Sequence, residues 1–272
     1  MNITWTGTAT ATSSISHGSE TRGLITMLRR EAIIGPDGVP VNIPLISGNA
    51  FRGRLRRVAE QQLAEALQYR GKLTLAAAAA LRSGGSLVKT SAAPISGSRL
   101  ARLRELVPLI GIFGTAGAGR IIDGCLQVGK LVPYATETQH LTEQPAALSV
   151  HDLTQIETYS RVDDTHRHDT AALAAEADDA PASQLQYRLE TFRAGTRFDV
   201  WLNLISPTDL EAAFFADVLA RYSHTATIAG RSAIGHGRLR LDVTPSTPPP
   251  DLDWRTEISQ NAAEAIDTLN QL

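Results

Sequence analysis

The order of hydrophobic and polar residues predicts a β-rich start to the chain. Residues 2–16 alternate loosely and are rich in β-branched threonine, which is typical of a strand. Turn residues at 17–20 end it, and a second segment, extended or mixed, follows over 24–34. Gly-Pro-Asp-Gly at 35–38 indicates a hairpin turn, and the short run 41–46 after it is again β-rich. We therefore expect extended segments joined by tight turns up to residue 46.

A helical spacing of apolar residues begins directly after these segments. Ser47 or Asn49 can cap the N-terminus of a helix of about five turns. Residues 76–81 are rich in alanine and predict a second helix, which two glycines end. Residues 98–112 repeat the helical spacing, with Pro108 as a kink or a stop. The apolar stripe of the first helix consists of Phe51, Leu55, Val58, Leu63 and Leu67.

Strands and helices continue in the second half of the chain. A glycine-rich loop at 114–119 leads into an apolar, β-branched strand over 121–131. Because strands open and close the chain with helices between them, the order favours an α+β fold with helices on one side of an antiparallel sheet. The other predicted elements are two strands within 186–205 around a turn at 193–196, a helix over 210–222, a strand over 238–243, a proline-rich spacer over 245–250 and a terminal helix over 253–272.

Composition excludes several classes of protein. With 272 residues, 43% of them apolar, the chain can bury a core, so neither wholesale disorder nor a disulfide-stapled miniprotein is expected. The single cysteine, Cys125, cannot form an intrachain disulfide, which fits a reducing compartment. No run of 18 apolar residues and no signal peptide are present, so a soluble, cytoplasmic protein is predicted. The net charge of −2 excludes a uniformly basic coat for nucleic acid.

The charge is nevertheless unevenly distributed. Residues 47–72 hold six basic and two acidic side chains, whereas residues 137–190 hold eleven acidic side chains and three arginines. The acidic region has few large apolar residues and is predicted to be an exposed insertion. In the basic region, Arg52 and Arg56 share one helix face, so we predict that they are the better pair for a phosphate backbone. An ordinary solvated helix face is the alternative.

A second candidate for phosphate binding is the glycine-rich segment 230–240. Its backbone N–H groups can follow phosphates, with Arg231 and Arg238 supplying charge beside His236. The glycine-rich segment 114–120 has no Gly-Lys-Ser/Thr ending and precedes a strand, so nucleotide hydrolysis is not predicted.

The remaining polar clusters give weaker signals. His166 and His168 lie among acidic residues, but alternate spacing in an acidic loop favours solvated side chains, so no metal site is predicted. His17 is a candidate general base with no second activated group that the spacing assigns to it. Asp37 lies in a turn, where aspartate is expected without a catalytic role.

The order of these motifs resembles that of the CRISPR-associated RAMP superfamily, in particular the guide-RNA-binding backbone subunits of class 1 effector complexes. The most similar subtype is type IV, or the related type I-D, because residues 158–169 resemble the arginine-bearing thumb insertion found there. The motifs that carry the resemblance are PLISGNAFRGRLR, IFGTAGAGR, ETFRAGTRF and IAGRSAIGHGRLRLDV.

The resemblance implies a modified RRM, or ferredoxin-like, palm with inserted finger and thumb elements. The palm would comprise residues 1–135 and 186–244, with a helical insertion at about 47–112. Residues 136–185 would contain the thumb, and residues 245–272 a proline-rich spacer with a C-terminal helix. The net acidity of the thumb region departs from the basic thumb expected for RNA contact.

The resemblance also implies partners and contacts. Family members polymerise along one guide RNA, hold its phosphates and present its bases for pairing with a target. Other CRISPR effector subunits are their further partners, and no membrane is implied. No cofactor is implied. The implied RNA-binding residues are Ser47, Gly48, Asn49, Arg52 and Arg56 in the helix motif, Arg161 and Arg167 in the thumb, and Gly230, Arg231, His236 and Arg238 in the glycine-rich loop.

Catalysis is not predicted. In type III relatives the backbone subunit carries an RNA-cleaving aspartate ahead of the Ser-Gly helix motif. Here the only aspartate in residues 18–43 is Asp37, which lies within the Gly-Pro-Asp-Gly turn and is not matched to that position. We therefore expect a non-catalytic guide-RNA scaffold. One alternative is an RNA-processing endonuclease with His17 or His236 as general base and Arg231 stabilising the phosphorane. The other is a protein-interaction module that does not bind RNA.

Overall fold

The computed structural model describes residues 1–85, 95–117, 120–161 and 185–272. The strands are β1 (Ile3–Ala11), β2 (Gly18–Arg22), β3 (Ile25–Leu28), β4 (Arg30–Ile34), β5 (Pro40–Pro44), β6 (Thr115–Gly117), β7 (Arg120–Ile122), β8 (Leu126–Val128), β9 (Val132–Pro133), β10 (Thr154–Arg161), β11 (Leu185–Phe192), β12 (Arg197–Leu204) and β13 (Leu239–Pro245). The helices are α1 (Gly48–Leu67), α2 (Leu75–Arg82), α3 (Gly97–Leu106), α4 (Pro108–Phe113), α5 (Gln139–Thr142), α6 (Asp209–His224), α7 (Trp254–Ser259) and α8 (Ala262–Asn270).

The central sheet has the order β13-β1-β12-β8, and β9 also pairs with β12. All of these pairs are antiparallel. Alternate residues of β1, among them Ile3, Trp5 and Ala9, are buried, and the Trp5 ring meets Phe215 of α6 edge-on with ring centroids 5.2 Å apart. Helices therefore cover one face of this sheet, and the predicted α+β class is confirmed.

A second, four-stranded sheet has the order β10-β11-β3-β2. β10 and β11 form an antiparallel hairpin that begins at the pair Thr154–Phe192, and β11 pairs with β3 in parallel. The strand-turn-strand around residues 193–196 is confirmed, but the turn separates two sheets, since β11 joins the second sheet and β12 the central one. The acidic region predicted as an exposed insertion thus supplies strand residues, and Glu190 within it is 7% exposed.

The short hairpin of β4 and β5 closes as the sequence predicts. Its turn is held by the Gly35 N–H donating to Val39 O at 2.8 Å, and the carboxylate of Asp37 accepts from the Val39 N–H at 3.1 Å. Asp37 therefore stabilises a turn, in agreement with its sequence context.

Several predicted elements are wrong in extent. Residues 18–20 of the predicted turn belong to β2, and the extended segment over 24–34 is divided into β3 and β4, which lie in different sheets. The strand over 121–131 is divided into β7 and β8, because Gly124 packs so closely on the end of α4 that a Cβ there would lie 2.2 Å from Ile112 O. The single terminal helix is divided into α7 and α8: α7 packs on α1 and α6, and α8 packs on α3, α1 and α2. In the described ranges, no helix has the length and apolar character needed to cross a membrane.

Candidate nucleic-acid interface

An open cleft of about 580 Å³ lies between α1, the loop before β13 and the start of the second sheet. Helix α1 contributes Asn49, Arg54 and Arg57 to its lining, and the loop contributes Gly230 and Arg231. Among the described residues that line this cleft there are three arginines and no carboxylate. We call it the arginine cleft.

The three arginines are held in different ways. Arg54 donates from Nη2 to the carbonyl of Ala229, so it fastens the loop to α1. Arg57 is exposed and forms no ion pair within the described part of the chain. Arg231 has a left-handed backbone, with φ of 62°, and its Cζ lies 5.2 Å from the centroid of the Tyr187 ring.

The start of α1 is built by the Ser-Gly motif. Ser47 is the N-cap, and its Oγ accepts from the Ala50 N–H at 3.3 Å. The Ser47 N–H donates to Nε2 of His17 at 3.2 Å. Gly48 allows α1 to approach the central sheet, because a Cβ there would lie 2.7 Å from Val128 O. Of the five helix-motif residues predicted to bind RNA, only Asn49 lines the arginine cleft.

The two motif glycines are expected to respond in opposite directions to alanine. Gly48→Ala should lower the free energy of unfolding by about 1–2 kcal/mol, since the new methyl group meets backbone carbonyls. Gly53→Ala should raise it by about 0.5–1 kcal/mol, because nothing lies within 4 Å of the added Cβ and alanine favours a helix. Urea denaturation followed by circular dichroism measures the free energy of unfolding of both variants. Destabilisation by Gly53→Ala would contradict the open space found around residue 53.

Arg52 and Arg56, the pair that the sequence analysis selected for phosphate binding, do not line the arginine cleft. Arg52 and Arg56 share a helix face, as predicted, but Arg56 is 7% exposed and both donate to the carbonyl of Phe113, at 2.7 and 3.2 Å. Arg56 also donates to Leu81 O at 2.6 Å, to Gly114 O at 3.0 Å and to Ala80 O. These carbonyls lie at the C-terminal ends of α2 and α4, where a cation is favourable.

Burial affects the pKa of both side chains. It lowers the pKa of Arg52, and burial together with the neighbouring charge of Arg52 lowers the pKa of Arg56 to about 10. Nε of Arg52 is buried without a hydrogen-bond partner in the described structure. Neither Arg52 nor Arg56 lines the arginine cleft, so their contact with phosphate stays a prediction.

His236 is also turned inward. It is 2% exposed, with Nδ1 3.0 Å from Ser14 Oγ and Nε2 2.8 Å from the Tyr159 hydroxyl. Arg238 is exposed but does not line the cleft, and its backbone N–H donates to Ser13 Oγ at 3.0 Å. Arg161 ends β10, and Arg167 lies outside the described residues, as do His166 and His168.

Aromatic side chains connect the β10–β11 hairpin to the loop that carries Arg231. Tyr159 and Tyr187 are cross-strand partners whose rings stack 5.4 Å apart, and the Tyr159 hydroxyl donates to Glu157. Burial alone would raise the pKa of Glu157, but hydrogen bonds from Tyr159, Thr191 and Gln155 outweigh it and lower the pKa to about 2. The chain of contacts from Glu157 to Arg231 thus fixes the hairpin beside the arginine cleft.

Sequence reasoning did not select Arg54 and Arg57, although the sequence contains a signal for Arg57. At 100° per residue, Arg57 lies about 160° from Leu55 of the apolar stripe, whereas Arg56 lies only about 20° from Leu63 of the same stripe. Position relative to the buried stripe, and not the spacing between arginines, indicates which guanidinium faces solvent.

Comparisons with known proteins identify the family. No protein-family model matches the chain, and no curated protein does. One solved structure that does is described as "Type IV-B CRISPR Complex": 93% of this chain aligns with 94% of a chain in it, at 32% identity and a TM-score of 0.64. The chain belongs to the type IV-B CRISPR complex family. The resemblance to type IV CRISPR effector subunits is thereby confirmed.

In this type IV-B family member, the arginine cleft is suited to a polyanion. Three guanidiniums around one open groove, without a lining carboxylate among the described residues, attract phosphates and release their counterions. Asn49 and Ala50 of the first turn of α1 also line the cleft, and the first N–H groups of a 20-residue helix favour negative charge.

Proposed function

We propose that this type IV-B subunit is a non-catalytic backbone subunit that holds a guide RNA by its phosphates in the arginine cleft. The observation that carries the proposal is the convergence of Arg54, Arg57 and Arg231 on one open groove. Contacts to phosphate are independent of sequence, so they leave the base edges of the guide free to pair with a target. We propose that in this role the central sheet and its helices serve as a modified RRM-like palm.

We further propose that the subunit assembles with copies of itself along the guide and with other CRISPR effector subunits. The matched chain is part of a structure described as a CRISPR complex, and the two chains align over nearly their whole lengths. Assembly would place successive arginine clefts next to one another, so that a chain with a net charge of −2 still offers a continuous basic track.

Three contacts support a role without catalysis. A general base needs a free lone pair, but Nε2 of His17 already accepts the Ser47 N–H. His236 is buried, with both ring nitrogens within hydrogen-bond distance of protein side chains. The carboxylate of Asp37 is bonded within its own turn. These contacts weigh against the endonuclease hypothesis.

The test is binding of single-stranded RNA at several salt concentrations. Arg54→Gln/Arg57→Gln should weaken binding roughly tenfold and make the slope of log affinity against log salt shallower by about 1.4, since two phosphate contacts are removed. Arg70→Gln/Arg240→Gln is the matched control. It removes the same charge from exposed positions, one beyond the far end of α1 and one on β13.

The outcomes separate the competing functions. A control variant as weak as the cleft variant would contradict binding in the arginine cleft. Absence of salt-dependent RNA binding would favour the protein-interaction module. Cleavage of the RNA at one defined site, lost in His17→Ala or His236→Ala, would favour the endonuclease.

A further inference from the structure

The arginine cleft has two chemically different walls. The arginines lie on the wall formed by α1 and the loop before β13. The opposite wall, from the end of β1 to β3, contributes His17, Ser19 and Thr26, and within the described lining it offers no cation. A single strand of nucleic acid whose phosphates lie against the arginines therefore turns its other edge, the sugars and bases, toward neutral hydrogen-bonding groups.

The backbone fixes the tautomer of His17. A peptide nitrogen can only donate, so Nε2 of His17 accepts the Ser47 N–H and carries no proton of its own. The proton of the neutral imidazole is then on Nδ1. Within the described residues, Nδ1–H has no protein acceptor, and the side chain lines the arginine cleft. The wall opposite the arginines thus presents a fixed, uncharged N–H donor.

We propose that this donor recognises the ribose 2′-hydroxyl, and that His17 is a specificity-determining residue that makes the arginine cleft prefer RNA to DNA. The inference rests on the proposed function and adds the sugar as the recognised group. The 2′-hydroxyl accepts a hydrogen bond from a neutral N–H, and it is the group that distinguishes RNA from DNA at a given position. Ser19 and Thr26 place further hydroxyl groups on the same wall.

The state of the imidazole is consistent with this role. Burial, with a smaller contribution from the positive charge of Arg29, lowers the pKa of His17 below its ordinary value. The ring is accordingly neutral at pH 7, as the contact with the Ser47 N–H requires. A neutral donor adds little to phosphate attraction, so its effect is expected in the choice of sugar and not in the salt dependence.

The experiment compares an RNA and a DNA single strand of the same sequence, about twelve nucleotides long, by fluorescence anisotropy at fixed salt. His17→Asn keeps an amide donor near the position of Nδ1 but loses the acceptor for Ser47. His17→Gln keeps an acceptor near the position of Nε2 but loses the donor. Melting temperatures of both variants report any loss of the helix cap.

The wild-type protein is expected to bind RNA more tightly than DNA, and His17→Gln should reduce the ratio of the two affinities roughly fivefold. His17→Asn should retain most of the ratio, even if it melts at a lower temperature. The reverse order, with Asn losing the ratio and Gln keeping it, would show that His17 acts only by accepting the Ser47 N–H at the start of α1. Equal binding of RNA and DNA by the wild type overturns this inference while leaving the proposed function intact, whereas binding of neither overturns both.

Discussion

Arg56→Met is expected to lower the free energy of unfolding by about 3–5 kcal/mol. Methionine can fill much of the space of the arginine but donates no hydrogen bond. The carbonyls of Ala80, Leu81, Phe113 and Gly114, to which the guanidinium donates, would remain buried without that partner. Since these carbonyls end α2 and α4, loosening is expected first in the helices beside α1. Arg56→Lys should lose less, because a single ammonium keeps the charge but reaches fewer carbonyls.

Urea denaturation followed by circular dichroism measures the loss. The matched control is Arg57→Met, one residue further along α1, because Arg57 is exposed and lines the arginine cleft. Its free energy of unfolding should change by less than about 0.5 kcal/mol, although its affinity for RNA should fall. Equal destabilisation by the two substitutions would contradict the structural role assigned to Arg56.

The second large effect is expected at Glu190, which joins β11 to β3 and β4. Its carboxylate accepts from the Leu28 N–H at 2.8 Å and from both terminal nitrogens of Arg30, one of them at 2.6 Å. Glu190→Gln turns one acceptor oxygen into a donor that opposes the guanidinium. We expect a loss of about 2 kcal/mol in the free energy of unfolding near pH 7.

The same carboxylate makes the stability of the protein depend on pH. Burial alone would raise the pKa of Glu190, but hydrogen bonds from Arg30 and the Leu28 N–H lower it below the ordinary value. A lowered folded-state pKa gives stability that is present above the unfolded value of about 4.3 and is lost as the pH falls through the folded pKa. Below about pH 4.3, the difference between the wild type and Glu190→Gln should therefore shrink, as urea denaturation at a series of pH values would measure. A difference that stays constant down to pH 3 would contradict this assignment.

Local chemistry made much of the fold predictable. Ser47 caps α1 as expected, Pro108 separates α3 from α4, and the turn at 35–38 closes its hairpin. Each of these features is decided by a few neighbouring residues, whose capping hydrogen bonds or fixed dihedral angles act within the local chain. The antiparallel order of the central sheet also followed, because strands at both ends of the chain need partners.

The candidate site was harder to predict because contacts between distant residues decide it. His236 is buried by Ser14, 222 residues away, and by Tyr159, 77 residues away, so its isolated motif gave no sign of burial. The parallel pairing of β11 with β3 likewise joins residues that are far apart in the sequence. Arg57, by contrast, was within reach of sequence reasoning, since the apolar stripe of α1 already indicates which positions face away from the core.

Helix α1 carries its two kinds of arginine at interleaved positions. Arg52 and Arg56 donate to carbonyls of the protein and do not line the arginine cleft, Arg57 lines the cleft, and Arg54 does both, since it also donates to Ala229 O. Related sequences can therefore vary most easily at 57, and so diverge in the polymer that they bind, while the pair at 52 and 56 continues to preserve the architecture. In this helix, an invariant arginine among relatives would mark the fold, and a variable one would mark the ligand.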